Sequence, residues 1–209
     1  PSEKLEQAAV YVAVLLGAAF SVGLFFLLPT FLIGLIPGVR EVIWLRNLLE
    51  GVLKICIFLA YLIGISKMKD MKRIFSYHGA EHKTIRCYEA GLPLTVENVR
   101  PMTRLHPRCG TSFLFVVIFI SILVGAVIQT PNTLLRMALH LLLLPVVVAV
   151  SYEINRFVGR HDNWFTRIIT APGMWLQNFT TNEPDDSMIE VGIESLKLVI
   201  PEREGADKW

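Results

Sequence analysis

The apolar positions of this chain fall into four long blocks instead of the short alternating patterns of a soluble core. Ala8–Ile36 carries no charged residue, and Val42–Ile65 carries only Arg46, Glu50 and Lys54. Phe113–Gln129 is again free of charge, and Leu134 to about Tyr152 contains only Arg136 and His140 among ionisable groups of the Asp, Glu, Lys, Arg and His types. A membrane-crossing helix needs about 20 apolar residues at 1.5 Å rise each, so each block predicts one span. Pro29 is expected to kink or end the first span and Pro145 to interrupt the fourth, because proline lacks a backbone donor and its ring collides with the preceding turn. Gly17, Ser21 and Gly23 are small residues that would let a neighbouring helix approach. Pro37-Gly38 and Thr130-Pro131-Asn132 read as turns.

Between the second and third blocks lies a polar segment, Lys67–Ser112. Within it Tyr77–Ala90 has helical character and is closed by Gly91 and Pro93. Thr95-Val96-Glu97-Asn98 resembles a short capped turn leading to Pro101. After His161-Asp162 the sequence turns mixed, and Trp164, Phe165, Ile168, Ile169, Met174, Trp175 and Leu176 suggest a segment at the membrane interface. Thr180–Asp186 looks like a helix start, with Pro184 suited to the first turn and acids that complement the helix dipole. Met188, Ile189, Val191, Leu196 and Val199 would form the apolar side of that last helix, ended by Pro201. The expected division is residues 1–66 for the first two spans, 67–112 for the polar loop, 113–160 for the other two spans, and 161–209 for the interfacial segment and C-terminal helix. No internal repeat or low-complexity segment is visible.

Composition agrees with the pattern. Hydrophobic residues make up 53% of the 209 and charged residues 18%, against about 25% charged in ordinary globular chains. The fold class expected is therefore all-α, a polytopic membrane protein with about four transmembrane helices. The formal net charge of +2 identifies no partner, but its distribution sets an orientation. Nine basic residues lie between Lys67 and Arg108, whereas the short turns hold only Arg40 and Arg136 nearby. The positive-inside rule then makes the central loop cytoplasmic, and four spans put both termini on that side. No cleavable signal peptide is expected, since the first apolar run is too long and no small-residue cleavage site follows it. Three cysteines, an odd number, argue against a disulfide framework and for metal ligation or burial.

Arg46, Glu50 and Lys54 recur at i, i+4 and i+8, so they share one helix face and Glu50 can pair with either neighbour. Charges inside a span face the bundle interior or a water-filled cavity, which leaves an ion ladder and a cavity lining as alternatives. His140 is expected to be a hydrogen-bonded helix residue. A transport path along the three charges is the weakest functional reading, because the other spans offer few polar residues.

The loop carries the chemistry. His78-Gly79-Ala80-Glu81-His82 fits the inverted zincin pattern H-x-x-E-H. On a helix His78 and His82 lie on one face and can share an ion, while Glu81 is placed to deprotonate a metal-bound water. His106-Pro107-Arg108-Cys109 adds two metal-capable side chains three apart, and imidazole with thiolate suits zinc. Together His78, His82, His106 and Cys109 would close a tetrahedral, structural shell. Three of them with a water would leave a catalytic position, and Glu153 or Glu183 could act as a remote third ligand. Glu89 lies about 10 Å along the axis from His82 and Cys87 points to the opposite side, so neither is expected at the ion.

Tyr77-His78-Gly79-Ala80-Glu81-His82-Lys83, His106-Pro107-Arg108-Cys109-Gly110-Thr111-Ser112-Phe113 and Thr181-Asn182-Glu183-Pro184 resemble the YqhQ-like family (domain of unknown function 1385). Its members are bacterial multi-pass membrane proteins described as metal-dependent, usually with a further Gly-rich N-terminal segment. The resemblance implies the bacterial inner membrane and supports the metal. Two functional classes follow. One is a metal-dependent hydrolase with Glu81 as base. The other is a non-enzymatic scaffold or partner of a membrane machine, such as a translocon or ribosome, with zinc stapling the loop. Expected partners are membrane lipids and other membrane proteins, with no sequence-specific nucleic acid.

Overall fold

The computed structural model describes residues 3–39, 41–161 and 163–201. Arg40, Asp162 and the two chain ends, on which parts of the expected charge pattern and domain division fall, lie outside the described residues. The described chain is helical, with no strand among its residues. The elements are α1 (Glu3–Val22), a π turn (Gly23–Leu27), α2 (Leu28–Gly34), α3 (Ile43–Ser66), α4 (Lys69–Glu89), α5 (Val96–Val99), α6 (Gly110–Val127), α7 (Thr133–Arg160), α8 (Trp164–Thr180) and α9 (Asp186–Lys197).

Four segments are long and apolar enough to cross a membrane among the described residues: Lys4–Gly34, Ile43–Ser66, Gly110–Val127 and Thr133–Arg160. The all-α, polytopic reading holds. The two prolines differ: Pro29 follows a local irregularity of its helix, whereas Pro145 interrupts nothing. Pro29 neither ends nor breaks its span; the π turn just before it, in which the Leu28 N–H bonds the Gly23 carbonyl, adds a residue to that turn and relieves the clash with the proline ring. Pro145 lies inside an unbroken α7 of 28 residues, since neighbouring helices and small local adjustments satisfy the carbonyl that proline frees.

The chain divides into two compact units, Pro1–Ala60 with Ile118–Ala149 and Tyr61–Val117 with Val150–Trp209. In the first, Arg46, Glu50, Lys54, Arg136 and His140 are all buried. Glu50 accepts from Arg46 Nε at 2.8 Å and from Arg136 Nε at 3.0 Å. The remaining guanidinium nitrogens go to carbonyls at the end of α6 and in the α6–α7 connection, and to the side chains of Thr133 and Asn47. Arg136 bonds Ile128 and Gly125, and Arg46 bonds Pro131 at 3.0 Å. The Gly125 and Ile128 carbonyls lie at the C-terminal end of α6 and carry the negative end of its dipole. Lys54 does not pair with Glu50. Its Nζ donates to Ser121 Oγ at 3.1 Å and sits 5.2 Å from the Phe26 ring centre. His140 Nδ1 meets Thr30 Oγ1 at 3.4 Å. Of the three charges of α3, Arg46 and Glu50 therefore pair directly, Arg136 from α7 joins them at the same carboxylate, and Lys54 stands outside the ladder.

The second unit is built on α4. It starts eight residues before the expected Tyr77, because Lys69–Ser76 contains no glycine or proline to stop it. It ends as expected: Gly91 has φ +68, and the Gly91 and Leu92 N–H groups return to the Tyr88 and Cys87 carbonyls, a Schellman closure. Thr95 caps α5 by accepting from the Asn98 N–H. Ala80, Cys87, Val99, Ile189 and Ile193 form a core between α4, α5 and α9. Pro184 stands before the Asp185 cap and not in the first turn of α9, and that helix stops at Lys197, short of Pro201.

The segment between α8 and α9 crosses α4 at Gly79. A Cβ built there would lie 2.0 Å from the Asn182 carbonyl oxygen. Asn182 fixes the crossing, its N–H bonding Phe75 O at 2.9 Å and its side chain bonding Lys72 O at 3.1 Å. At the other end of α8, an Asn163–Thr166 capping box starts the helix.

Candidate metal centre

His78 and His82 lie one turn apart on α4 with ring centres 4.3 Å apart. Cys109 stands immediately before the first residue of α6. One ligand atom from each of His78, His82 and Cys109 falls within 4.8 Å of the others. Both imidazoles are oriented from behind. His78 Nδ1 lies 2.8 Å from the Thr180 carbonyl and His82 Nδ1 lies 2.6 Å from the Arg104 carbonyl. A carbonyl only accepts, so each Nδ1 carries the hydrogen and each Nε2 is left to face the site. Backbone carbonyls that fix tautomer and ring direction in this way are the usual support of metal-binding histidines.

The donor set fits zinc. Two imidazole nitrogens and a thiolate match its preferred ligands, and ideal tetrahedral bonds would separate sulfur and nitrogen by about 3.6 Å. Cys109 Sγ lies 3.3 Å from His78 Nε2, so only a small adjustment separates the pair from that spacing. Burial works to raise the Cys109 thiol, but hydrogen bonds from His78, His82 and Thr111 outweigh it and bring the pKa down to about 5. The Thr111 N–H donates to Sγ at 3.4 Å, and the N-terminal end of α6 adds its positive dipole. In the metal-free state His78 is raised, first by its hydrogen bond to Cys109 and against the effect of burial.

His106 lies outside this trio. Its ring centre is 5.8 Å from that of His82, and both its nitrogens are engaged. Nδ1 accepts from the Arg108 N–H at 3.3 Å, so Nε2 carries the hydrogen donated to Glu89 at 3.1 Å. Burial lowers the His106 pKa, with the Glu89 carboxylate opposing. Glu81 is exposed on the turn between the two histidines and acts electrostatically on His78. Neither remote carboxylate joins the trio. Glu183 is paired with Lys83 at 2.6 Å, and Glu153 is an exposed partner of Arg156. Cys87 is buried in the α4–α9 core, where burial raises its thiol.

Several supporting residues were not evident beforehand. Gln177 on α8 grips the backbone of His106, accepting from its N–H and donating to its carbonyl, both at 2.7 Å. Arg104 Nη1 holds the carbonyl and hydroxyl of Thr181, both at 2.7 Å. The one available signal was a set of polar residues, Gln177, Thr180 and Thr181, at the end of a mostly apolar helix.

Four apolar spans and a preorganised His–His–Cys cluster define a polytopic membrane protein with a candidate metal centre. Residues 1–202 match the family described as "Protein of unknown function (DUF1385)", and the chain belongs to that family. It is 38% identical over 182 residues to "Uncharacterized protein YqhQ" of Bacillus subtilis (strain 168), covering 87% of this chain and 57% of the relative. The chain thus spans little more than half the length of that relative. No solved structure matches it.

Proposed function

We propose that this protein is a metal-dependent hydrolase of the bacterial inner membrane, with zinc held by His78, His82 and Cys109 at the cytoplasmic face. The reading is carried by one observation: three ligand-type atoms lie within 4.8 Å of one another, with both histidines locked by carbonyls into the tautomer that leaves Nε2 toward the site. Three protein donors fall one short of the four of a structural tetrahedral site. His106, the candidate fourth, is engaged by Glu89 and the Arg108 N–H. A bound zinc ion would supply a water with its pKa lowered to about 7. Glu81, exposed on the turn between the two histidines, would accept a proton from such a water. Thr180 and Arg104 keep the imidazoles aimed, and Thr111 keeps Cys109 ionised. Orientation is supported by the nine basic residues from Lys67 to Arg108. It is also supported by burial of Arg136, which removes a basic residue from the opposite turn.

The test needs no known substrate. Protein loaded with cobalt(II) should show visible absorption bands that shift with pH as a bound water ionises. Glu81→Gln should keep stoichiometric cobalt but move that midpoint by about one pH unit, whereas Cys109→Ala should weaken cobalt binding at least 100-fold. Bands that do not respond to pH would mean a closed, structural site and would end the hydrolase reading.

A further inference from the structure

The second unit also contains a cavity of about 690 Å³ that neither the trio nor the proposed chemistry uses. Its walls come from the end of α4, the His106–Arg108 turn, the end of α7 and one side of α8. The size is that of a small-molecule site. Its charge is one-sided. Arg86, Arg108, Arg160 and Arg167 line it against a single carboxylate, Glu89, among the described residues. That carboxylate is already engaged by Arg108 Nη1 and His106 Nε2, each at 3.1 Å.

The guanidinium groups of Arg86 and Arg108 are fixed in place. Arg86 gives Nε and Nη2 to the Leu105 carbonyl, and Arg108 gives Nε to the Gly159 carbonyl. A cleft of one sign with low-dielectric walls concentrates the opposite charge. Every full cation in the lining is arginine, whose planar fork matches phosphate bidentately. Pro107, Val158, Ala171 and Met174 give the lining an apolar share beside Thr166, Thr170 and His161, as an amphiphile requires.

The outer side of α8 sets the depth. Trp164, Phe165, Ile168 and Trp175 are all exposed. At 3.6 residues per turn they fall within roughly 100° of the helix circumference. An apolar arc bearing tryptophans belongs at the headgroup level of a bilayer. The cavity lies on the other side of the same helix and is closed by the last turn of a membrane span. His106 joins it to the metal centre, as it lines the cavity while its ring centre stands 5.8 Å from that of His82.

We infer that this cavity binds the phosphate group of a phosphate-bearing amphiphile and that such esters are the substrate class of the neighbouring centre. The substrate assignment rests on the metal-centre reading; the anion site stands on its own lining.

The experiment uses the full chain in nanodiscs. Native mass spectrometry compares retention of phosphatidic acid with that of phosphatidylcholine, and calorimetry in neutral detergent tests soluble glycerol phosphate. Wild-type protein should retain phosphatidic acid at least tenfold better than phosphatidylcholine, and Arg160→Gln/Arg167→Gln should erase that preference. Lys69→Gln/Lys72→Gln, on α4 outside the cavity, should keep it. Heat with glycerol phosphate, lost in the arginine variant, would show that the phosphate alone suffices; retention of the lipid without such heat would assign the acyl chains a share. Equal retention of both lipids with no heat overturns the inference, as does an equal loss in the lysine variant, which would mark general surface charge. Metal content is measured on every sample. Phosphatidic acid bound by metal-free wild-type protein would sink the metal-centre reading alone, and metal without anion preference would sink the cavity inference alone.

Discussion

At Cys109 the end of α6 and the ring of His78 act on the same sulfur. The folded-state pKa of about 5 lies below the ordinary 9.0. Ionisation therefore stabilises the fold fully above pH 9, and this contribution is lost as pH falls toward 5. His78 has the opposite sign: its pKa is raised from 6.5, so its contribution is present below 6.5 and lost as pH rises through the raised value. Metal-free protein should therefore hold a thiolate–imidazolium pair at mildly acidic pH. Its ultraviolet thiolate absorbance should titrate near pH 5 and disappear in Cys109→Ser; a midpoint at pH 8 or above would contradict the geometry. His78, His82, His106 and Cys109 could be singled out because their spacing within the two motifs is short, but spacing alone does not separate His106 from the trio of ligand-type atoms. Their supports could not, because the Thr180 carbonyl that orients His78 is 102 residues away and backbone groups leave no trace in residue identity.

Among the elements, the crossing of the 180–183 segment over α4 has the tightest tolerance. Gly79→Ala would drive a Cβ into the Asn182 backbone, and backbone cannot swing aside as a side chain can. The expected cost is about 3 kcal/mol, seen as a fall of roughly 10 °C in the unfolding midpoint. A change under 2 °C would show that the segment is free to move.

The ion network of the first unit makes a paired prediction. Glu50→Gln leaves Arg46 and Arg136 buried without their carboxylate and should cost about 3 kcal/mol. Lys54→Met removes no ion pair and should be neutral or stabilising in detergent melts. Equal losses would mean that Lys54 is tied to Glu50 after all. The extent of the spans could be read from uninterrupted apolar runs, whereas Pro145 misled because a stop signal in water is tolerated in a membrane helix. Arg136 as partner of Glu50 was hidden by 86 residues of separation.

For the whole molecule, the membrane character rests on composition that no soluble core would need. Exposed Leu15, Leu16 and Val14 on α1 are ordinary for a helix surrounded by lipid. The central claim, however, is chemical: an ion held by two imidazoles and one thiolate with a position left for water. The most direct measurement is metal content together with X-ray absorption of protein purified without chelators. The proposal predicts one zinc per chain with two nitrogen ligands, one sulfur and one oxygen. Absence of stoichiometric metal, or a third nitrogen in place of the oxygen, would contradict it.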